Sequence, residues 1–278
     1  MRQLQQELRK SVQQRIKTTS ILGRHKSHGM RQAAEQELII HIAILRKSLL
    51  NREAHFMSSA LIDDLLGDPS RFDKQGRAYD LLQNYFRGYP VETLRPLLAN
   101  KDQLIQRAAV WIVSELGKDG CSLLDAVIPL IDSHDRYIKY HALEIAIVCS
   151  VDGKVDRFAH VARSLESSDE EIRILAMRLI SVADQCQLEA GARVAGASPA
   201  FNDMHKRGLL HLCASNRLDG NQVLQMINDA NPLVRRYGAI AARRLFETFP
   251  DLISTATESA DPDISRFAKE TLDSFAGE

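Results

Sequence analysis

What this 278-residue chain lacks first is net charge: 36 Lys and Arg stand against 36 Asp and Glu. The distinctly basic balance usual in domains that track phosphates is therefore absent. Aromatic residues are scarce, at 6% with Trp111 the one tryptophan, and there are only 8 prolines. Few strand-favouring aromatics and few helix breakers favour helices. Long apolar runs are missing too. The longest, Leu38 to Leu45, is interrupted by His41 and falls far short of the ~20 residues that a membrane span requires. The four cysteines, Cys121, Cys149, Cys186 and Cys213, form no CxxC pair and follow no secretory signal. The expectation is a reducing cytoplasm, with Cys149 and Cys213 as buried inert thiols. Gly-rich phosphate loops, GxSxG and HExxH are absent as well, so the sequence offers no grounds for phosphoryl transfer, serine hydrolysis or zinc hydrolysis. The chain is expected not to be an enzyme and to need no cofactor or metal.

A 45% hydrophobic content supplies ample core, and at this length either two domains or an elongated repeat array is expected. Self-similarity decides for the array. One pattern recurs: Asp or Asn, two variable residues, Ile or Val, a polar residue, two more, then Ala or Gly. It reads DQLIQRAA from Asp102, DRYIKYHA from Asp135, DEEIRILA from Asp169, NPLVRRYG from Asn231 and DPDISRFA from Asp261. A sixth copy, FNDMHKRG from Phe201, keeps Met204 and Gly208 but loses the leading acid. The starts are spaced by 30 to 34 residues.

Each position has a physical reason. The leading Asp or Asn accepts hydrogen bonds from the free amides of a first helical turn, and Pro232 and Pro262 follow it where a missing amide costs nothing. The apolar residue three along shares a face with the small residue seven along, which lets a neighbouring helix approach closely. This is the second helix of a hairpin. Amphipathic segments at 90–100, 121–132, 154–167, 219–229 and 250–259 read as first helices, and 60–86 as a degenerate earlier unit with Phe72 and Gly76 as its anchors.

The stretches LLDAVIPLIDSHDRYIKYHALEIAIV and QVLQMINDANPLVRRYGAIAARRLF resemble HEAT repeats, in particular the short bacterial HEAT-like kind, and the resemblance covers roughly residues 60–278. It implies an all-α solenoid of six to seven hairpins whose second helices line a concave surface. This chain departs from the family at the acid two places before the leading residue, where it has Asn100, Ser133, Ser167, Asp229 or Ser259. Hydroxyl caps are expected to substitute there, at the expense of the acid–arginine ladder between units. Ahead of the array, residues 1–28 form a basic amphipathic segment with a surplus of six positive charges, and 29–59 are expected to cap the open core.

His134, Asp135, His141 and Glu144 crowd together like part of an active site. Asp135, however, is the same position as Asp102, Asp169 and Asp261, so it is expected to be a recurrent cap. His25 and His28 have HxxH spacing without a third ligand nearby and read as a basic loop. Basic residues recur early in the second helices, and stacking would align them into a stripe. The candidate partner-binding residues are Arg107, Lys139, Arg173, Arg235, Arg236 and Arg243, with Trp111 as an aromatic anchor beside the Ile105/Ile112 stripe. The competing expectation is that the arginines pair with acids of neighbouring units.

A repeat array without catalytic residues points to a protein-binding module. The specific expectation is an inhibitor or adaptor, such as an immunity protein that neutralises a toxin by binding it. The alternative is a nucleic-acid-binding protein of the HEAT-like alkylpurine DNA glycosylase type, for which one tryptophan and zero net charge make a poor groove.

Overall fold

The computed structural model describes residue 40 and residues 58–151, 153–214 and 219–276. The basic segment 1–28 and nearly all of the expected cap at 29–59 lie outside the described residues. Among the described residues every regular element is helical.

Among the described residues seven helical units follow one another. Unit 1 holds a helix over 58–67, α1 (Pro69–Lys74) and α2 (Ala78–Phe86). Unit 2 pairs α3 (Arg95–Leu98) with α4 (Gln103–Leu116), and unit 3 pairs α5 (Leu124–Val127) with α6 (Arg136–Cys149). Unit 4 pairs α7 (Phe158–Arg163) with α8 (Glu170–Ser181), and unit 5 pairs α9 (Gln185–Ala197) with α10 (Asp203–Cys213). Unit 6 pairs α11 (Gly220–Ile227) with α12 (Pro232–Arg244), and unit 7 pairs α13 (Pro250–Thr257) with α14 (Pro262–Ala276). This is a HEAT-like array. The first helix of unit 5, α9, is one that the sequence pattern passed over, although Asp184 and Gln187 form a capping box at its start.

The recurrent pattern does what its chemistry requires. Asp102, Asp135, Asp169 and Asn231 accept from first-turn amides, and the amide of Asp263 donates to Asp261. Ile105, Ile138, Ile172 and Ile264 are buried, each contributing roughly 1.5–3 kcal/mol by leaving water. Ala109, Ala142, Ala176 and Ala268 are fully buried at the helix crossings. The substitute caps form as well: Ser133, Ser167 and Ser259 hydroxyls accept from the amides of Asp135, Asp169 and Asp261. The arginine ladder nevertheless survives, because the leading Asp itself receives it. Arg107 pairs with Asp135 at 2.8 Å, Arg136 with Asp169 at 2.5 Å and Arg235 with Asp261 at 2.7 Å.

Two local expectations need correction. Gly76 is not a crossing residue: it has φ +65 with open space around it, and it ends the turn after α1. The sixth copy of the pattern has not lost its cap but moved it by one residue, since Asn202 accepts from the Met204 amide at 3.0 Å. Counted from that cap, the deep apolar position falls on His205, which is fully buried.

Near that shift the array stops being regular. Helices α2, α4, α6 and α8 stack in sequence, each on the next. Helix α8 then packs against α12 and α14, while α10 packs against α9 and α12. The second helices of units 4, 6 and 7 therefore close on one another. Residues Tyr237 to Ala242 of α12 are six consecutive buried residues, as a helix surrounded on all sides requires. Gly208 permits this packing, because a Cβ there would lie 2.2 Å from the Tyr237 ring.

The cysteines also depart from expectation. Cys121 and Cys149 are joined by a disulfide, with S–S 2.02 Å and Cα–Cα 5.1 Å, across the hairpin of unit 3. The 28-residue separation hid a contact that the hairpin itself creates, so Cys149 is not a free thiol. Cys186 and Cys213 are free, and burial pushes the Cys213 thiol pKa up, as an inert thiol requires. Among the described residues no helix is long and apolar enough to cross a membrane.

Candidate functional site

The expected basic stripe divides into two parts with different surroundings. In the closed half, Arg173 donates to both oxygens of Asp263 at 2.6 and 2.8 Å, and Arg236 pairs with the same carboxylate at 2.9 Å. Asp263 is only 1% exposed. Burial is the largest influence on its pKa and raises it, but the two guanidiniums together outweigh burial and hold the group below its ordinary value. Arg236 also donates to the Leu165 carbonyl, and Arg244 to those of Ser181 and Ala183. These arginines cap the chain ends of unit 4. Arg235 is held by Asp261 and by the carbonyls of Asp229 and Ala230. Arg243 has no carboxylate partner among the described residues. It donates to Thr271 at 3.3 Å and lies over the Phe267 and Phe275 rings, each at 6.0 Å.

Beneath this seam, Glu166, His205 and Tyr237 form a chain of hydrogen bonds. His205 Nε2 meets Glu166 at 3.0 Å, and its Nδ1 meets the Tyr237 hydroxyl at 2.9 Å. Burial lowers the His205 pKa against the opposing pull of Glu166. Together the three groups satisfy a histidine placed where units 2, 3, 4 and 7 carry isoleucine and unit 6 carries Val234.

The open half is different. Between units 1, 2 and 3 lies a cleft of about 300 Å³, lined by Phe72, Asp73, Tyr79, Arg107, Trp111 and Tyr137 among others. It adjoins a second, open cleft of about 680 Å³ bounded by Gln103, His134, Tyr140 and His141, and the two share Arg107 and Tyr137. Tyr79 is 58% exposed and Tyr137 43% exposed, large values for aromatic rings on a rigid helix stack. Trp111 is half-buried and faces this cleft from α4. Arg107 lies over the Tyr137 ring at 5.9 Å while paired with Asp135. Lys139 is half-buried and makes no ion pair among the described residues.

The crowded segment at 132–148 is thus resolved. Asp135 caps α6 and anchors Arg107, and His141 bridges Glu144 at 3.1 Å and Ser114 of unit 2 at 3.0 Å. Among the described residues no cluster of His, Cys, Asp or Glu could hold a metal ion, and His25 and His28 lie outside them. Of the sequence candidates, the structure brings Arg107 and Trp111 together at the aromatic cleft and places Arg173, Arg235, Arg236 and Arg243 in the closed half, where the first three line a separate open cleft of about 810 Å³ while each is paired to an acid. The residues that sequence reasoning missed are Tyr79, Tyr137 and Asp73. Tyr137 could have been found by aligning the copies, since it stands two places after its cap, where Leu104 stands in unit 2.

No family model matches the chain, and no curated protein matches it. Among solved structures it is similar to an archaeal HEAT-like repeats protein from Thermococcus onnurineus NA1, at 14% identity and TM-score 0.37 over 82% of this chain and 95% of that one. It is also similar to two engineered proteins. One has 13% identity and TM-score 0.42 over 90% of this chain and 75% of that one. The other has 12% identity and TM-score 0.38 over 94% and 98%. The likeness concerns general architecture and adds nothing to the argument for a function.

Proposed function

We propose that the chain acts by binding another protein through the second-helix face of units 1 to 3, as an inhibitor or adaptor and without catalysis of its own. The observation that carries this is the exposed aromatic cleft of Tyr79, Trp111 and Tyr137 on a preformed helix stack. Rigid aromatic groups with one face open are the usual anchors of protein interfaces, and a preformed support keeps the ordering cost low. The acid–base chain of Glu166, His205 and Tyr237 is part of the packing of the closed half, with His205 and Tyr237 both buried and mutually satisfied. An immunity-type inhibitor that covers a toxin's active surface is the specific form we favour, on fold and size alone. Residence in the cytoplasm belongs to the same proposal. Its check is the thiol state of Cys121 and Cys149 in protein alkylated directly from its own cells, where an intact bond would place the chain in an oxidising compartment.

The test is affinity capture from the native lysate with and without nuclease, run in parallel on the wild type and on Tyr79→Ser/Tyr137→Ser. A stoichiometric protein that survives nuclease and is lost by the double variant supports the proposal. Enrichment that vanishes with nuclease ends it and moves the chain to nucleic acid.

A further inference from the structure

Of the two charged residues that line the aromatic cleft, Arg107 is paired and Asp73 is not, so the unpaired charge of the lining is negative among the described residues. Asp73 on α1 and Glu115 on α4 are exposed and make no ion pair among the described residues. Glu144 on α6 is held by His141 and Tyr140 and makes no pair with a lysine or arginine among the described residues. The arginines Arg107, Arg136 and Arg77 are engaged with Asp135, Asp169 and Asp64, whereas Lys74 beside Asp73 and Lys139 on α6 make no ion pair among the described residues. Glu115 lies four residues after Trp111 and so shares its helix face, while Asp73 lines the same cleft from the opposite wall. Tyr137 lies within electrostatic reach of all three acids. Its pKa is raised first by burial and then by Asp73, Glu115 and Glu144 acting against Arg107.

Aromatic faces attract cations through their negative quadrupole, and carboxylates beside them fix where the cation sits. We propose that the cleft seats an arginine or lysine side chain borne by the partner protein, stacked on Trp111 and Tyr137 and paired with Asp73 and Glu115. The proposal rests on the protein-binding reading above and deepens it. A phosphate or an acidic peptide fits worse, since it would face Asp73 in the cleft wall, with Glu115 and Glu144 within electrostatic reach of Tyr137, and find Arg107 already paired.

Trp111 is the only tryptophan, so its emission reports on the cleft without a label. Titrating the full-length protein with a short peptide of alternating arginine and leucine is expected to change that emission saturably at low salt. The same peptide with glutamate for arginine is expected to leave it unchanged. The exposed double reversal Asp73→Lys/Glu115→Lys is expected to weaken the arginine peptide about ten-fold or more with an unchanged circular dichroism spectrum. An equal response to both peptides, or unchanged affinity in the double reversal, overturns the proposal.

Carbodiimide coupling of the free protein supplies another check. Cross-links from Lys10 or Lys17 to Asp73 or Glu115, within a monomer or between two copies, would give the cleft to the chain's own basic segment and overturn a partner-borne anchor. The captured partner separates this proposal from the broader one. A partner kept by the double reversal but lost by Tyr79→Ser/Tyr137→Ser ends the cationic anchor and leaves protein binding standing. A partner kept by both variants ends both.

Discussion

Units 1 to 3 and units 4 to 7 are built from the same hairpin but use its second helix in opposite ways. In the first group Arg107 reaches the next unit's cap, and its neighbours Trp111 and Tyr137 are left facing a cleft. In the second group the corresponding side chain turns inward: Arg236 stands five places after its cap, as Arg107 does, and like it binds a buried acid, but Arg236 is itself largely buried where Arg107 is half-exposed. A repeat pattern thus fixes what each residue can contact along the stack, whereas the curvature of the stack decides whether that contact is internal or free for a partner.

Several substitutions sharpen the contrast. The largest effect is expected from Asp263→Ala, which leaves Arg173 and Arg236 without their shared carboxylate in a largely buried place and should cost about 3–5 kcal/mol in urea unfolding. Gly208→Ala comes next. Its Cβ would overlap the Tyr237 ring, and overpacking of this kind costs roughly 1–3 kcal/mol. His205→Leu leaves the Tyr237 hydroxyl buried without its partner, for roughly 1–3 kcal/mol. Adding Tyr237→Phe should recover part of that loss, and additive costs in the double-mutant cycle would show that the two groups are uncoupled. Arg107→Ala leaves the buried Asp135 carboxylate with its two capping amides and a half-exposed site that water can enter, and should cost roughly 1–3 kcal/mol, below the loss at Asp263. An equal cost for Arg107→Ala and Asp263→Ala would erase the distinction between the two halves.

Acid should act on the closed half first. The depressed His205 pKa means that its neutral form stabilises the fold fully above the unfolded value of about 6.5, and this is lost as pH falls through the folded value. Asp263 behaves in the same direction lower down. Its contribution is present above about 4 and disappears as pH falls through the depressed folded value. Hydrogen exchange across this range should open 232–276 before 103–149, and the reverse order would contradict the assignment.

The hairpins were legible because their signals are local: Asp135 capping Tyr137 and Ile138, or Ala142 at a crossing, needs only neighbours in sequence. The missed helix α9 carried a readable signal in Asp184 and Gln187 but no copy of the repeated motif. The closure was not legible from the motif, because Asn202 still caps its helix and only the count from cap to His205 changes. Its trace was the run of small and apolar residues Gly238 to Ala242, which leaves that stretch of α12 no solvent face. For the same reason the arginines of VRRYGAIAARR read as a surface cluster, whereas Arg236 and Arg244 serve the carbonyls of unit 4. The aromatic cleft was half legible through Trp111. Its opposite wall comes from the degenerate first unit, where no motif fixes the register of Asp73 and Tyr79.

The pair between Arg173 and Asp263 joins residues 90 positions apart. Where units touch only their neighbours, an array can gain or lose a unit at its end with modest effect, and folding can spread from any point. Here the last hairpin supplies the carboxylate that a unit three hairpins earlier depends on. Closing so long a loop must precede its reward, so units 4 to 7 should form late and together, after the local hairpins of units 1 to 3. The array can therefore be shortened from its C-terminal end only at the expense of its middle.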